Sequence, residues 1–231
     1  LYAKIYSASV LGIHGFIVEV EIDISNGLPA FDIVGLPDSA VRESRERVRA
    51  AVKNSGVNFP LQRITTNLAP ADIKKEGASF DLAIAMGILL ASDQMVGISV
   101  DKTIFLGELS LDGCLRPLHG ILPMVMCAQE QGFTKVLVPA ANYSEACLVD
   151  GIEIIPLQTL QESVGYLKGE WHPDFVETAT TIEQTKWTQP DLKDVQGQQH
   201  VKRAMEVAAG GGHNLILIGY ISMPMYPNLL L

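Results

Sequence analysis

A hydroxyl at Ser79, two lysines at Lys74 and Lys75 and a carboxylate at Asp81 are crowded into one stretch, Asn67–Ser92, NLAPADIKKEGASFDLAIAMGILLAS. A serine hydroxyl is a poor nucleophile without an adjacent base. The two lysines are near in sequence, but a loop lysine with ordinary solvation stays protonated and cannot serve as that base. The other role open to Ser79 is to cap the helix that follows it. Asp81 is the only polar side chain between Phe80 and Ala91. It fits a buried helix only in the first turn, where unpaired N–H groups and the positive dipole end favour a carboxylate.

A second group is basic. Arg42, Arg45, Arg49 and Lys53 recur at spacings of three and four, so they form one stripe on a helix. With Lys74 and Lys75 they are the candidate contact for a nucleic-acid phosphate or a neighbouring subunit. The competing reading is a solvated face, partly neutralised by Asp38 with Arg42 and by Glu43 with Arg47 at i,i+4. His14, His172, His200 and His213 are scattered without ligand spacing, so no metal set is expected. Cys114, Cys127 and Cys147 lack a C-x-x-C spacing, which argues for a reducing compartment. Cys127 and Cys147 read as small core residues of apolar helices.

These residues need elements to position them. The chain has 231 residues, 48% apolar and 19% charged, with 17 basic against 26 acidic side chains and a net charge of −9. That is the composition of a globular protein with a sizeable core, and the overall charge does not advertise a phosphate backbone as partner. No leader or membrane-spanning run is read, so a cytoplasmic location is expected. Tyr2–Ser9 reads as a strand. His14–Ser25 alternates cleanly, with Phe16, Val18, Val20, Ile22 and Ile24 on one face and Glu19, Glu21 and Asp23 on the other. Asn26-Gly27 is a turn signal before a returning strand at Ala30–Val34, so a β-meander is expected at the start. Asp38 caps a helix that stops at Gly56, with Val41, Ser44, Val48, Ala51 and Val52 as its buried stripe. Arg63–Leu68 is a strand leading to the central loop, and the apolar run after it must be a helix buried on all sides. Strands at Thr103–Glu108, Lys135–Pro139 and Ile152–Pro156 then alternate with helices at 120–131 and 159–168, which suggests parallel pairs. Residues 169–190 read as a linker. A helix at 198–209 and a strand at Leu215–Ile218 follow.

Four ordered blocks, GLPDSAVRESRERVRAAVKNSG, NLAPADIKKEGASFDLAIA, FLGELSLDGCLRPLHGILP and KVLVPAAN, resemble the N-terminal domain of the Mg-chelatase-like AAA+ proteins of the competence-helicase type (ComM/YifB). The resemblance covers about residues 1–168. It resumes in DVQGQQHVKRAMEVAAGGGHNLILIG, which is similar to the start of that family's AAA+ module. It implies an α+β fold shared with the Lon protease domain, a mixed sheet with helices, over residues 1–168. A linker at 169–190 and an incomplete α/β P-loop fragment at 191–231 would follow.

The resemblance also sets expectations for chemistry. In Lon-like peptidases the nucleophile occupies the place of Ser79. The lysine base would fall in Pro117-Leu118-His119-Gly120-Ile121-Leu122, where this chain has Leu122. Ser79 is therefore expected to be non-catalytic, with His119 the one substitute base. A Ser-dependent peptidase remnant is the alternative. Family members carry a Walker A loop, GxxxxGK[ST], after the strand ending at Ile218-Gly219, but Gly219-Tyr220-Ile221-Ser222-Met223-Pro224-Met225-Tyr226 has no Gly-Lys-Ser/Thr. Val195, Gly197, Gln198 and Gly219 are then remnants of a nucleotide site in a chain that stops early. ATP and Mg²⁺ belong to the parent family, and no cofactor is expected here. The implied role is that of an accessory domain in an ATP-driven DNA-remodelling, branch-migrating motor. DNA and a homo-oligomeric ring would be the partners of the full-length protein, and no membrane is expected.

Overall fold

The computed structural model describes residues 1–173 and 191–219. They belong to two compact units, the first reaching Thr180 and the second starting at Thr181.

In the first unit, strands β1 (Tyr2–Leu11) and β2 (His14–Ser25) form an antiparallel hairpin. Then come β3 (Ala30–Val34), helix α1 (Ser39–Asn54), β4 (Arg63–Ala69) and α2 (Asp81–Ala91). Strands β5 (Thr103–Phe105), β6 (Glu108–Leu109) and β7 (Leu115–Arg116) precede α3 (Ile121–Glu130). The unit closes with β8 (Lys135–Pro139), the short α4 (Tyr143–Ala146), β9 (Glu153–Leu157) and α5 (Leu160–Lys168). The second unit contributes α6 (Gln199–Gly211).

The main sheet has seven strands in the order β3-β4-β2-β1-β5-β8-β9. Only β2 runs against the others, since β4 is antiparallel to β2 and parallel to β3 while β1, β5, β8 and β9 are mutually parallel. The expected meander is therefore wrong at its third strand. The chain leaves β2 through Asn26-Gly27, but β3 pairs with β4, which inserts between them. The turn residues report a change of direction and do not say which strand will claim the vacant edge. The single strand expected at Thr103–Glu108 is also two. β5 lies in the main sheet, and β6 pairs with β7 in a separate ribbon.

The alternation in β2 places Val18, Val20, Ile22 and Ile24 in a core shared with α1, α2 and Leu160 of α5. The opposite sheet face carries a second cluster, in which Ala8, Ile104, Val136 and Val138 meet Ile121, Met124 and Val125 of α3. All of α2 except Leu90 is buried, as an all-round apolar helix requires. At about 1.5–3 kcal/mol per side chain, burying Leu82, Ile84, Met86, Ile88 and Leu89 contributes on the order of 10 kcal/mol as an upper bound. Gly87 lets this helix lie against the sheet, because a Cβ there would stand 2.7 Å from Ile22 Cγ1.

Candidate functional site

The site is built where α1, α2 and the loop before α2 meet. Asp38 caps α1 by accepting from Val41 N–H at 2.7 Å, and its other carboxylate oxygen accepts from Gly77 N–H at 3.5 Å. Backbone bonds tie the same two loops together, from Lys75 N–H to Leu36 O (3.2 Å) and from Asp38 N–H to Lys75 O (3.0 Å). The loop carrying the two lysines is thus stitched to the start of α1 before it turns into α2.

Lys75 does not face outward as expected. Its side chain is fully buried, and its ammonium donates to Ile73 O at 2.8 Å and to Pro70 O. Burial pushes its pKa below the ordinary lysine value, against a small opposing pull from Asp72. A residue held this way offers nothing to a phosphate, so the proposed contact loses Lys75. Lys74 is exposed and bound to Glu76 at 2.7 Å, which raises its pKa.

Ser79 is 6% exposed, and its Oγ has no hydrogen-bond partner among the described residues. It does not cap α2. The N-cap position is Phe80, with no side-chain cap. The first turn is held instead by backbone: Leu82 N–H donates to Gly107 O (3.0 Å), and Gly107 N–H donates to Ser79 O (3.1 Å). Gly107 makes that exchange possible, since a Cβ there would lie 2.4 Å from Leu115 Cδ2.

Asp81 does lie in the first turn, but a side-chain network holds its carboxylate. It accepts from Arg47 Nε (2.7 Å), Arg47 Nη2 (3.1 Å), Leu109 N–H (3.2 Å) and Ser44 Oγ. Burial pushes the Asp81 carboxyl up from its ordinary value, while Arg47, Ser44 and the Leu109 N–H pull back toward the charged form. Arg47 was expected to neutralise Glu43. That contact exists at 3.9 Å but is the outer, weaker one. The signal that could have found this network is the Asp81 carboxylate itself, which needs a cation once its helix is buried.

The remaining basic residues divide. Arg45 donates to Phe31 O (3.4 Å) and Arg42 O (3.1 Å), and Arg49 stands 5.5 Å from the Phe59 ring centroid. Arg42 and Lys53 are exposed. The stripe therefore exists as a surface beside β3, with its middle members already ordered. Leu122, at the expected place of a base, is the second residue of α3, and its N–H donates to Glu145. His119 is exposed in the preceding loop. That loop is fixed by a reciprocal pair of bonds, Leu118 N–H to Asn142 Oδ1 (2.8 Å) and Asn142 Nδ2 to Leu118 O (2.9 Å). The sequence marks Asn142 as the start of a short helix, and its tie to Leu118 carries no sequence signal. Cys127 is half-buried and Cys147 exposed, so Cys147 is not the core residue expected. Among the described residues no group of His, Cys, Asp and Glu could hold a metal ion, and no helix is long and apolar enough to cross a membrane.

In the second unit, Val195, Gly197 and Gln198 precede α6 and are exposed, as is Gly219. Lys202 Nζ donates to Val195 O at 2.5 Å. No residue of α6 is buried within its unit, and Leu215–Ile218 forms no strand. A strand needs a neighbour to pair with, and the described residues of this unit supply none. Residues 174–190 of the expected linker, and 220–231, lie outside the described residues.

The first unit is an α+β domain of the Lon-protease-like type, a mixed sheet with helices around a serine-bearing loop and a buried helix. Lon protease 2 of Bacillus subtilis is 29% identical over 167 residues, covering 64% of this chain and 29% of its own length. More particularly, the chain belongs to the magnesium-chelatase ChlI family. The family model described as subunit ChlI of Mg-chelatase matches residues 20–142, and a second, magnesium chelatase subunit ChlI, matches residues 191–222. The competence protein ComM of Haemophilus influenzae is 41% identical over 94% of this chain and 43% of its own. The protein YifB of Escherichia coli is 39% identical over 93% of this chain and 42% of its own. The chain thus spans about two fifths of the length of these two relatives.

Proposed function

We propose that residues 1–168 are a non-catalytic accessory domain of a Mg-chelatase-like AAA+ protein. Its full-length form would be a cytoplasmic, ring-forming, ATP-driven motor that remodels DNA. Residues 169–190 would be the linker and 191–231 the start of the motor. One observation carries the non-catalytic part: the Ser79 hydroxyl is buried and, among the described residues, has no hydrogen-bond partner to take its proton. The scaffold of a serine peptidase is kept, and its relay is missing. Similarity to a competence protein supports the DNA-handling part. The nucleotide part rests on family membership alone, because the sequence Gly219–Tyr226 carries no Gly-Lys-Ser/Thr. No step is therefore assigned to ATP or Mg²⁺ in this chain.

An active-site serine probe tests the first claim. Ser79 is expected to stay unlabelled, and stoichiometric labelling lost in Ser79→Ala would favour a peptidase remnant instead. The motor claim is tested by magnesium-dependent ATP hydrolysis and branch migration. These are expected from a chain carrying a complete Walker A and B and absent from this one.

A further inference from the structure

One corner of the sheet combines features that the proposed function leaves unused. β3 and β4 run parallel with Ala30 opposite Arg63. Leu28 and Leu61 each stand two residues before those partners, so the register brings them to the same end of the same edge. They are 88% and 77% exposed, among the most exposed large apolar side chains of the first unit. Gln62 Nε2 donates to Asn26 Oδ1 at 3.3 Å, which joins the two loops that carry them. Beside them Phe59 packs on Phe31, with ring centroids 5.9 Å apart, and supports Arg49. Arg45 is held on the Phe31 carbonyl. Exposed leucines around arginines already ordered by an aromatic ring and a carbonyl make a surface that loses little freedom on docking.

We propose that this β3 edge docks a second copy of the chain, head to tail, through the copy's opposite edge at β9. The inference rests on the assembly reading above and names the surface by which copies would meet. A two-fold symmetric contact would set Arg45 and Arg49 against their own images, so the patch is not self-complementary. The far edge of the same sheet supplies the complement. Because β3 and β9 point the same way, the start of β9 lies at the same end of the sheet as Leu28 and Leu61. There Asp150 precedes β9 and Glu170 follows α5, both exposed, with Leu148 65% exposed beside them. A chain with a basic, leucine-bearing edge and an acidic one is built to repeat by translation or rotation. A DNA backbone would satisfy the arginines but would leave Leu28 and Leu61 in water.

Sedimentation velocity on the 231-residue chain tests this. The wild type is expected to self-associate as concentration rises. Arg45→Glu/Arg49→Glu on one edge, or Asp150→Lys/Glu170→Lys on the other, should each weaken association at least about tenfold with the circular dichroism of the folded chain unchanged. Mixed together, the two variants should regain association, since one native interface remains and the reversed charges face each other at the other. Leu61→Ser should weaken association without touching the charges. A wild type that stays monomeric, or a mixture that does, overturns the proposal. So does loss of duplex-DNA affinity in Arg45→Glu/Arg49→Glu with self-association unchanged. A full-length motor that forms its ring regardless of both edge variants would sink this interface and leave the ring reading standing.

Discussion

Asp81 and Ser79 stand two residues apart at the mouth of one buried helix, and the protein treats them in opposite ways. Asp81 is fully buried and receives four hydrogen bonds, from Ser44, Arg47 and Leu109 N–H. Ser79 is nearly as buried, and its hydroxyl has no partner among the described residues. The side that holds a charge is completed by α1 and β6, because an unpaired carboxylate in a dry core would cost several kcal/mol. The side that holds a hydroxyl can be left open, because an unsatisfied hydroxyl costs far less. In this domain the polar groups at the helix start are bonded together on the Asp81 side and, among the described residues, unpartnered on the Ser79 side.

The largest test of that contrast is Asp81→Ala. It strands the Arg47 guanidinium against the core and leaves Leu109 N–H without its acceptor, so a loss of about 3–5 kcal/mol is expected from chemical denaturation. Arg47→Met should cost a similar amount, and Asp81→Ala combined with Arg47→Met should cost much less than the two added together. Additive losses would mean that the pair is not a unit, and the contrast with Ser79 would fail.

The network's absence from the sequence reading has a physical reason. Both flanks of α1 carry arginine. Spacing separates Arg42, Arg45, Arg49 and Lys53 from Arg47, but it does not say which flank turns toward a buried acid. The apolar stripe was legible because Val41, Val48, Ala51 and Val52 repeat with the helix. The all-round burial of α2 was legible from composition alone. Strand order was not, since the choice of β4 as neighbour for β3 depends on the whole sheet. Nor was Lys75 separable from Lys74, because adjacent loop lysines differ only in which way the backbone turns them.

Lys75 extends the contrast to a buried cation that has partners but no counter-charge. Lys75→Met leaves Pro70 O and Ile73 O without that donor, and a loss of about 1–3 kcal/mol is expected at neutral pH. The pH dependence separates the ammonium's role from simple packing. The folded-state pKa lies below the unfolded one, so between the two values the unfolded chain binds more protons and stability rises with pH. The wild type should therefore gain on Lys75→Met as pH climbs toward the ordinary lysine value of about 10.4. A flat difference between the two melting curves would show that the ammonium is not dehydrated.

Thr66 asks the same question of a second buried hydroxyl. Its Oγ1 has no partner among the described residues, and its strand turns it into the core with Ile64 and Leu68. Thr66→Val keeps the shape and removes the stranded hydroxyl, so a gain of about 1 kcal/mol is expected. A loss would mean that the hydroxyl is bonded, by water or otherwise, and that the core is less dry on this side than it is drawn.

Ser79→Ala should have the smallest effect and bears most directly on function. A capping serine would cost about 1 kcal/mol on removal. A hydroxyl with no bond should cost nothing and could return a few tenths of a kcal/mol as its desolvation is relieved. The two outcomes differ in sign, which a thermal melt resolves even when the magnitude is small. A neutral or stabilised Ser79→Ala leaves the residue without a structural duty, so its place at the helix mouth reflects the scaffold it shares with Lon-type peptidases. A clear loss would give Ser79 a bond in solution, and the first atom to seek would be a base within reach of its hydroxyl.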